Sequence, residues 1–191
     1  MPARLAVLSA AFNPPTRAHL ALATASLEYA DEALLVLPRV FPHKVYEGPG
    51  FEQRMRLLQQ AVAHEPRFSV AASERGLFAE IDDELSGSYA AATRLLFVCG
   101  RDAAERIVDW DYGEAGAFPK MLERFELLVA ERDGEYSPPA EMRARIHPLR
   151  LRENYDSISA TEVRWRIAAG LPWEHLVPES IVAPVRELYA V

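Results

Sequence analysis

The chain has 191 residues, 50% of them apolar and 26% charged, with a formal net charge of −7. That is the make-up of a globular chain long enough for one sizeable core, and it sets aside the disordered and membrane-spanning classes. The acidic balance argues against a nucleic-acid polymer as the main ligand, because such binders need a broad basic face, whereas a small phosphate needs only a few local donors.

The amino-terminal stretch "MPARLAVLSAAF" is too short in apolar residues for a signal peptide, and no run elsewhere approaches the roughly 18 residues of a membrane span. A cytoplasmic chain with no membrane partner is therefore expected. One domain over residues 1–191 is expected too, with association between like chains left open. Cys99 is the only cysteine, so no disulfide framework or thiolate zinc site fits within one chain, and its place in "LLFVCG" reads as a buried, inert thiol.

In chain order, "RLAVLSA" (4–10), "EALLVLPR" (32–39), "FSVAAS" (68–73), "RLLFVCG" (94–100) and "FELLVAER" (125–132) are short apolar runs bounded by polar or turn residues. They read as strands buried on both faces. Between them, 16–30, 51–64, 101–109 and 115–123 have helical character, and helices over about 159–169 and 178–189 end the chain. This βαβα alternation predicts a Rossmann-like, doubly wound parallel sheet with helices on both faces and a helical C-terminal segment. In such a sheet ligands gather at the carboxyl ends of the strands, where the strand order reverses. The loop after the first strand is therefore the first place to look for a site.

That loop reads "AFNPPTRAHL" (11–20). Pro14 and Pro15 suit a helix entry, whose first N–H groups have no partner within the helix. Thr16 and His19 then fall one turn apart on one face. Such a helix start attracts anions, and a histidine there can donate to a phosphate oxygen; the alternative is that Thr16 only caps the helix. A second start of the same kind is "SISATEVRWRIAAGLP" (157–172). Ser159 and Glu162 fit a capping box, Gly170 a terminator, and Ser159, Thr161 and Arg164 place two hydroxyls and a guanidinium near the first turn.

With these residues in view, the sequence resembles the nucleotidylyltransferases, and among them the nicotinate or nicotinamide mononucleotide adenylyltransferases. The family's first motif, Gly-x-(Ser/Thr)-Phe-(Asp/Asn)-Pro-x-(His/Thr)-x-x-His, is matched at Phe12, Asn13, Pro14, Thr16 and His19. Its late motif, Ile-Ser-Ser-Thr-x-x-Arg, is matched by "ISATEVR" (158–164) except at Ala160. Between them, "FPHK", "FEQRMRLL" and "FVCGRDAAERIVDW" resemble the family's Pro-His-Lys loop, the next helix with its arginine, and the nucleotide-flanking strand.

The resemblance implies joining of a mononucleotide's phosphate to the α-phosphorus of ATP with release of pyrophosphate, and Mg²⁺ as cofactor on the triphosphate. It implies catalytic roles for His19, Thr16, Lys44 and Arg164. ATP would be bound by Ala11, Phe12, Asn13, Gly100, Asp102, Ile158, Ser159 and Thr161, and the acceptor by Tyr89, Thr93, Trp110 and Arg132; no protein metal ligand is implied. His43 can touch phosphate beside Lys44, and Tyr89, Trp110 and Trp173 can each either stack on a base or fill the core. His64, His147 and His175 read as structural. Ser9, Ala10 and Ala11 stand where the family has a Gly-rich stretch. The segment "YAAAT" (89–93) keeps only the ends of the family's Tyr-Thr-x-Asp-Thr, which leaves open a different small phosphorylated acceptor. A nucleotide-binding module without catalysis is the remaining alternative.

Overall fold

A computed structural model of the chain describes residues 2–40, 48–108, 116–130 and 136–189. Each apolar run becomes a strand: β1 (Arg4–Ser9), β2 (Glu32–Pro38), β3 (Phe68–Ser73), β4 (Arg94–Gly100) and β5 (Phe125–Ala130). Leu5 to Leu8, Ala33 to Pro38 and Leu95 to Cys99 are buried without interruption, as expected of strands covered on both faces. A sixth strand, β6 (Ile146–Leu149), was not expected; it adds to the edge beside β5. All neighbouring pairs are parallel, in the order β3-β2-β1-β4-β5-β6.

Helices α1 (Arg17–Ser26) and α2 (Phe51–Val62) cover one face, where Ala23, Leu58 and Val62 meet Leu8, Leu35 and Leu96. On the other face lie α3 (Phe78–Leu85), α4 (Arg101–Val108) and α5 (Ala117–Arg124), through Ile81, Ala104, Phe118 and Leu122 against Phe97, Leu127 and Val129. Burying one such large apolar side chain contributes about 1.5–3 kcal/mol. Helix α3 is the one helix here that the sequence reading did not anticipate, and it explains how the chain crosses from the edge strand β3 to β4.

The C-terminal part forms a third layer. Helix α6 (Ala160–Ala168), two short 3-10 turns and α7 (Val182–Tyr189) rest on the outer side of α2, with Val163, Ile181, Val185 and Tyr189 against Leu57 and Ala61. Gly170 takes φ +64° and ends α6 as its position predicts. The expected helix over 178–189 starts as the 3-10 turn Glu179–Ile181 before α7. This layer brings the end of the chain back over the loop that follows β1.

Candidate active site

Strand order reverses between β1 and β4, so the loops leaving Ser9 and Gly100 open side by side at the carboxyl edge of the sheet. The backbone of Ala10 still donates to Val36 O at 3.2 Å, after which the chain turns away from the sheet.

Helix α1 starts at Thr16, which is fully buried. Its hydroxyl accepts from His19 N at 3.4 Å, and its own N–H donates to His19 Nδ1 at 3.0 Å, with Thr16 Oγ1 2.8 Å from the same nitrogen. This is a capping box with histidine in the place of the usual glutamate or glutamine. An Nδ1 that accepts a backbone N–H carries no proton, so the neutral ring holds its proton on Nε2. Burial pushes the imidazole pKa down from 6.5 to about 4. The Phe12 ring lies 5.0 Å from the His19 ring, centre to centre, and fixes its plane. The sequence offered capping and phosphate donation as alternatives for this pair; the geometry uses Nδ1 for the cap and leaves Nε2–H as the donor.

Residues 11–13 are tied to three separate helices. Arg54 of α2 donates from Nη1 to Ala11 O at 2.7 Å, Arg164 of α6 donates from Nη1 to Asn13 O at 2.5 Å, and the Tyr189 hydroxyl of α7 donates to Asn13 Oδ1 at 2.6 Å. Phe12, between them, is 1% exposed and has φ +44°. For a bulky residue this left-handed conformation costs on the order of 1–3 kcal/mol and persists only where surrounding structure imposes it. Burial pushes the Tyr189 phenol pKa above its ordinary value, against the pull of Arg164 and Arg54, so it remains a hydrogen-bond donor.

The second helix start meets the first here. Ser159 caps α6 by accepting from Glu162 N at 3.0 Å. The Glu162 carboxylate, the other half of the expected capping box, turns instead to Arg166, with Oε1 accepting from Nε at 2.6 Å. Arg164 Nη2 reaches Thr161 Oγ1 at 3.4 Å while Nη1 holds Asn13, so one guanidinium bridges two segments 151 residues apart. Thr161 is exposed, Ser159 half-buried, and Ile158 anchors the turn in the outer apolar layer. Gly100 ends β4, and Asp102, exposed, stands in the first turn of α4.

Two residues expected at the acceptor, Thr93 and Tyr89, lie away from this cluster. Thr93 precedes β4 and donates its hydroxyl to Pro2 O at 2.9 Å, at the amino end of the sheet. Tyr89 is half-buried near Glu32 and Ser69, at the starts of β2 and β3, and burial followed by the Glu32 charge raises its phenol pKa. A seven-residue strand spans roughly 20 Å, so both side chains lie about a sheet's width from the site. What the β3–β4 connection presents at the ligand end is instead the first turn of α3, which starts just past the carboxyl end of β3. Lys44, His43, Trp110 and Arg132 lie outside the described residues.

Trp173 is 7% exposed within the outer core layer, and Cys99 is buried, its thiol pKa pushed up to about 12 by desolvation. His147 pairs with Glu126 at 2.9 Å. No group of three His, Cys, Asp or Glu that could hold a metal occurs among the described residues. The sequence marked the α2 arginine only as part of a family landmark and assigned neither Arg54 nor Tyr189 a role at the site. For Arg54 the signal was present: with Leu57, Leu58, Ala61 and Val62 it continues the apolar stripe of α2, a place where arginine must have a specific partner.

Comparison with known proteins agrees with this geometry. The cytidylyltransferase-like family model matches residues 8–166. The protein named "Probable nicotinate-nucleotide adenylyltransferase" of Chromobacterium violaceum is 30% identical over 217 residues, covering 97% of each chain. Its namesake from Moorella thermoacetica is 28% identical over 202 residues, covering 97% of this chain and 90% of that one. Among solved structures, Plasmodium falciparum nicotinic acid mononucleotide adenylyltransferase complexed with NaAD superposes with a TM-score of 0.73 over 95% of this chain and 96% of that one. At 13% identity that match speaks for the fold. The chain belongs to the cytidylyltransferase-like family and, within it, to the nicotinate-nucleotide adenylyltransferases.

Proposed function

We propose that this chain transfers the adenylyl group of ATP to nicotinate mononucleotide. An oxygen of the mononucleotide's phosphate attacks the α-phosphorus of ATP, the bond from that phosphorus to the β-bridging oxygen breaks, and pyrophosphate leaves as the dinucleotide forms. The observation that carries this reading is the Arg164–Asn13 hydrogen bond, which joins the two phosphate-suited helix starts at one place beside His19.

The chemistry asks for alignment and for charge stabilisation rather than a protein nucleophile. His19 Nε2–H donates to the α-phosphate oxygens as negative charge builds on them. As a neutral donor it keeps the tautomer that the Thr16 cap selects. Arg164 lies against the triphosphate with the donors that Asn13 and Thr161 leave over. The backbone of Ala11, Phe12 and Asn13 and the start of α6, at Ile158, Ser159 and Thr161, cradle the phosphates, Gly100 lets the nucleotide approach, and Asp102 accepts from ribose hydroxyls. Lys44 joins the phosphate contacts and Trp110 and Arg132 the acceptor pocket through the family motifs.

The donor set of imidazole N–H, guanidinium and hydroxyls suits phosphate oxygens rather than a cation. Mg²⁺ therefore fits as a companion of the triphosphate, where it would neutralise charge on the leaving pyrophosphate. With Thr93 bonded to Pro2 O and Tyr89 beside Glu32 and Ser69, the altered "YAAAT" segment lends no support to a different acceptor. The reading is tested by pyrophosphate release from purified protein with ATP, Mg²⁺ and a panel of phosphorylated acceptors. Turnover with nicotinate mononucleotide well above the others is expected; turnover only with another acceptor overturns the substrate, and none across the panel overturns the reaction. A cytoplasmic location follows from this chemistry's substrates and is part of the same proposal.

A further inference from the structure

The segment that meets the phosphates is held from behind by two side chains that cannot themselves reach a ligand freely. Arg54 is 3% exposed and Tyr189 9% exposed. A guanidinium withdrawn from water is costly unless its donors are met, and Arg54 gives Nη1 to the neutral carbonyl of Ala11. In a trans peptide the C=O and N–H point in opposite directions, so fixing Ala11 O toward α2 turns the Phe12 N–H away from it. Rotating that peptide by half a turn would carry Phe12 from φ +44° to a negative φ, the side that phenylalanine prefers. The observed orientation therefore needs a restraint, and the Arg54 bond is placed to be one. Tyr189 supplies the next restraint, holding the Asn13 side chain from a helix 176 residues away in sequence.

Resting on the adenylyl-transfer reading above, we propose that Arg54 and Tyr189 are positioning residues, which set the backbone orientation of residues 11–13 and so the alignment of the bound triphosphate with its acceptor. They act through the loop, so their loss is felt in kcat and in ATP binding, while the KM for the mononucleotide stays within about twofold. Misplacement of reacting groups by a fraction of an ångström to an ångström costs roughly tenfold to a hundredfold in rate.

Tyr189→Phe is expected to fold, to lower kcat about tenfold and to weaken calorimetrically measured ATP binding about threefold. Arg54→Met should lower kcat further, and Arg54→Lys should restore part of the loss, because an ammonium still donates to a carbonyl. A double-mutant cycle separates positioning from general packing: in an Asn13→Ala background, Tyr189→Phe should change kcat less than twofold. Tyr189→Phe with kcat and ATP affinity both within twofold of the wild type overturns the proposal. An equal kcat loss with and without Asn13 does so as well. If Arg54→Met does not fold, Tyr189→Phe and Arg54→Lys decide. If the wild type turns over no acceptor, the functional reading fails by itself, and ATP binding still reads the clamp: weaker in Tyr189→Phe supports it, unchanged overturns it.

Discussion

The two ends of the sheet carry similar residues arranged for different ends. At the amino edge, Arg4, Arg94, Arg145 and His147 converge on one carboxylate, Glu126, at 3.5, 2.9, 3.3 and 2.9 Å, and Arg94 also donates to the Glu123 carbonyl at the close of α5. At the carboxyl edge, Arg54 and Arg164 face neutral carbonyls of the 11–13 loop, and Arg164 has no carboxylate ion pair among the described residues. The first cluster gives its cations a counter-charge within the protein. In the second, Arg164 is held in position by dipoles that do not cancel its charge, so its field stays available to an anion. A guanidinium's fixed fork makes this possible, because donors left over after one carbonyl is met still point in defined directions.

The largest expected effect tests the second cluster at its chemical centre. His19→Ala removes the Nε2–H donor and should lower kcat about 10²–10³-fold with little change in ATP affinity, since that donor matters most when charge develops in the transition state. Steady-state kinetics and ATP titration on the same sample check it. A folded variant that keeps more than about a tenth of the wild-type kcat would assign His19 to capping alone.

Arg164→Ala comes next. It should weaken ATP binding about 10- to 100-fold and lower kcat too, because the guanidinium serves the bound substrate and the transition state together and also holds Asn13. Unchanged ATP affinity in a calorimetric titration would place this charge outside the triphosphate site.

Much of this arrangement was legible in the sequence, for reasons that the exceptions make plain. The five long apolar runs became strands, four of them buried almost throughout and β3, at the sheet's edge, half-exposed, and a continuous apolar run is all that is needed to make them visible. Strand β6, "IHPL", carries a proline and a half-exposed histidine at an edge, and four residues leave no pattern to read. Helix α3, "FAEIDDEL", is largely charged and shows its core side only at Phe78, Ile81 and Leu85. Tyr89 and Thr93 follow from it: α3 returns the chain toward the start of β4, so these two residues fall at the other end of the sheet, which the motif letters alone do not reveal. The helix starts at Thr16 and Ser159 were readable because capping is local chemistry. That Arg54 and Tyr189 grip the same loop was not, since those contacts span 43 and 176 residues and depend on how the layers stack.

The amino-edge cluster gives a smaller effect, on stability rather than turnover. Glu126→Gln leaves the three arginines without their shared carboxylate, and a loss of about 1–3 kcal/mol is expected, limited because water reaches the cations. ATP kinetics should be unaffected. Burial raises the Glu126 pKa, but hydrogen bonds from His147 and Arg94 outweigh it and hold the carboxyl below its ordinary 4.5. As the pH falls below that value the unfolded chain takes up this proton before the folded one does, so the contribution is full above about 4.5 and fades in more acid solution. Denaturant unfolding at pH 7 and pH 3 should therefore show the gap between wild type and variant closing at the lower pH; a gap of equal size at both would mean that the carboxylate's charge is not what stabilises this edge.

The smallest signal is spectroscopic and returns to His19. An unperturbed imidazole titrates near 6.5, whereas here burial lowers the value to about 4 and Nδ1 is committed to the Thr16 N–H. In the free protein the ring resonances should stay nearly constant from pH 8 to pH 5.5, and nitrogen shifts should report the Nε2–H tautomer. The sign of the accompanying stability change is fixed: below pH 6.5 the unfolded chain binds a proton that the folded site refuses, so this group makes folding less favourable as the pH drops toward 4. A His19 that titrates near 6.5 would mean that burial does not keep the ring from its proton, so that a bound phosphate is able to draw it into the cationic form. The site would then resemble the amino edge, where full charges meet one another, rather than one in which a neutral donor and an oriented guanidinium divide the work between transition state and ground state.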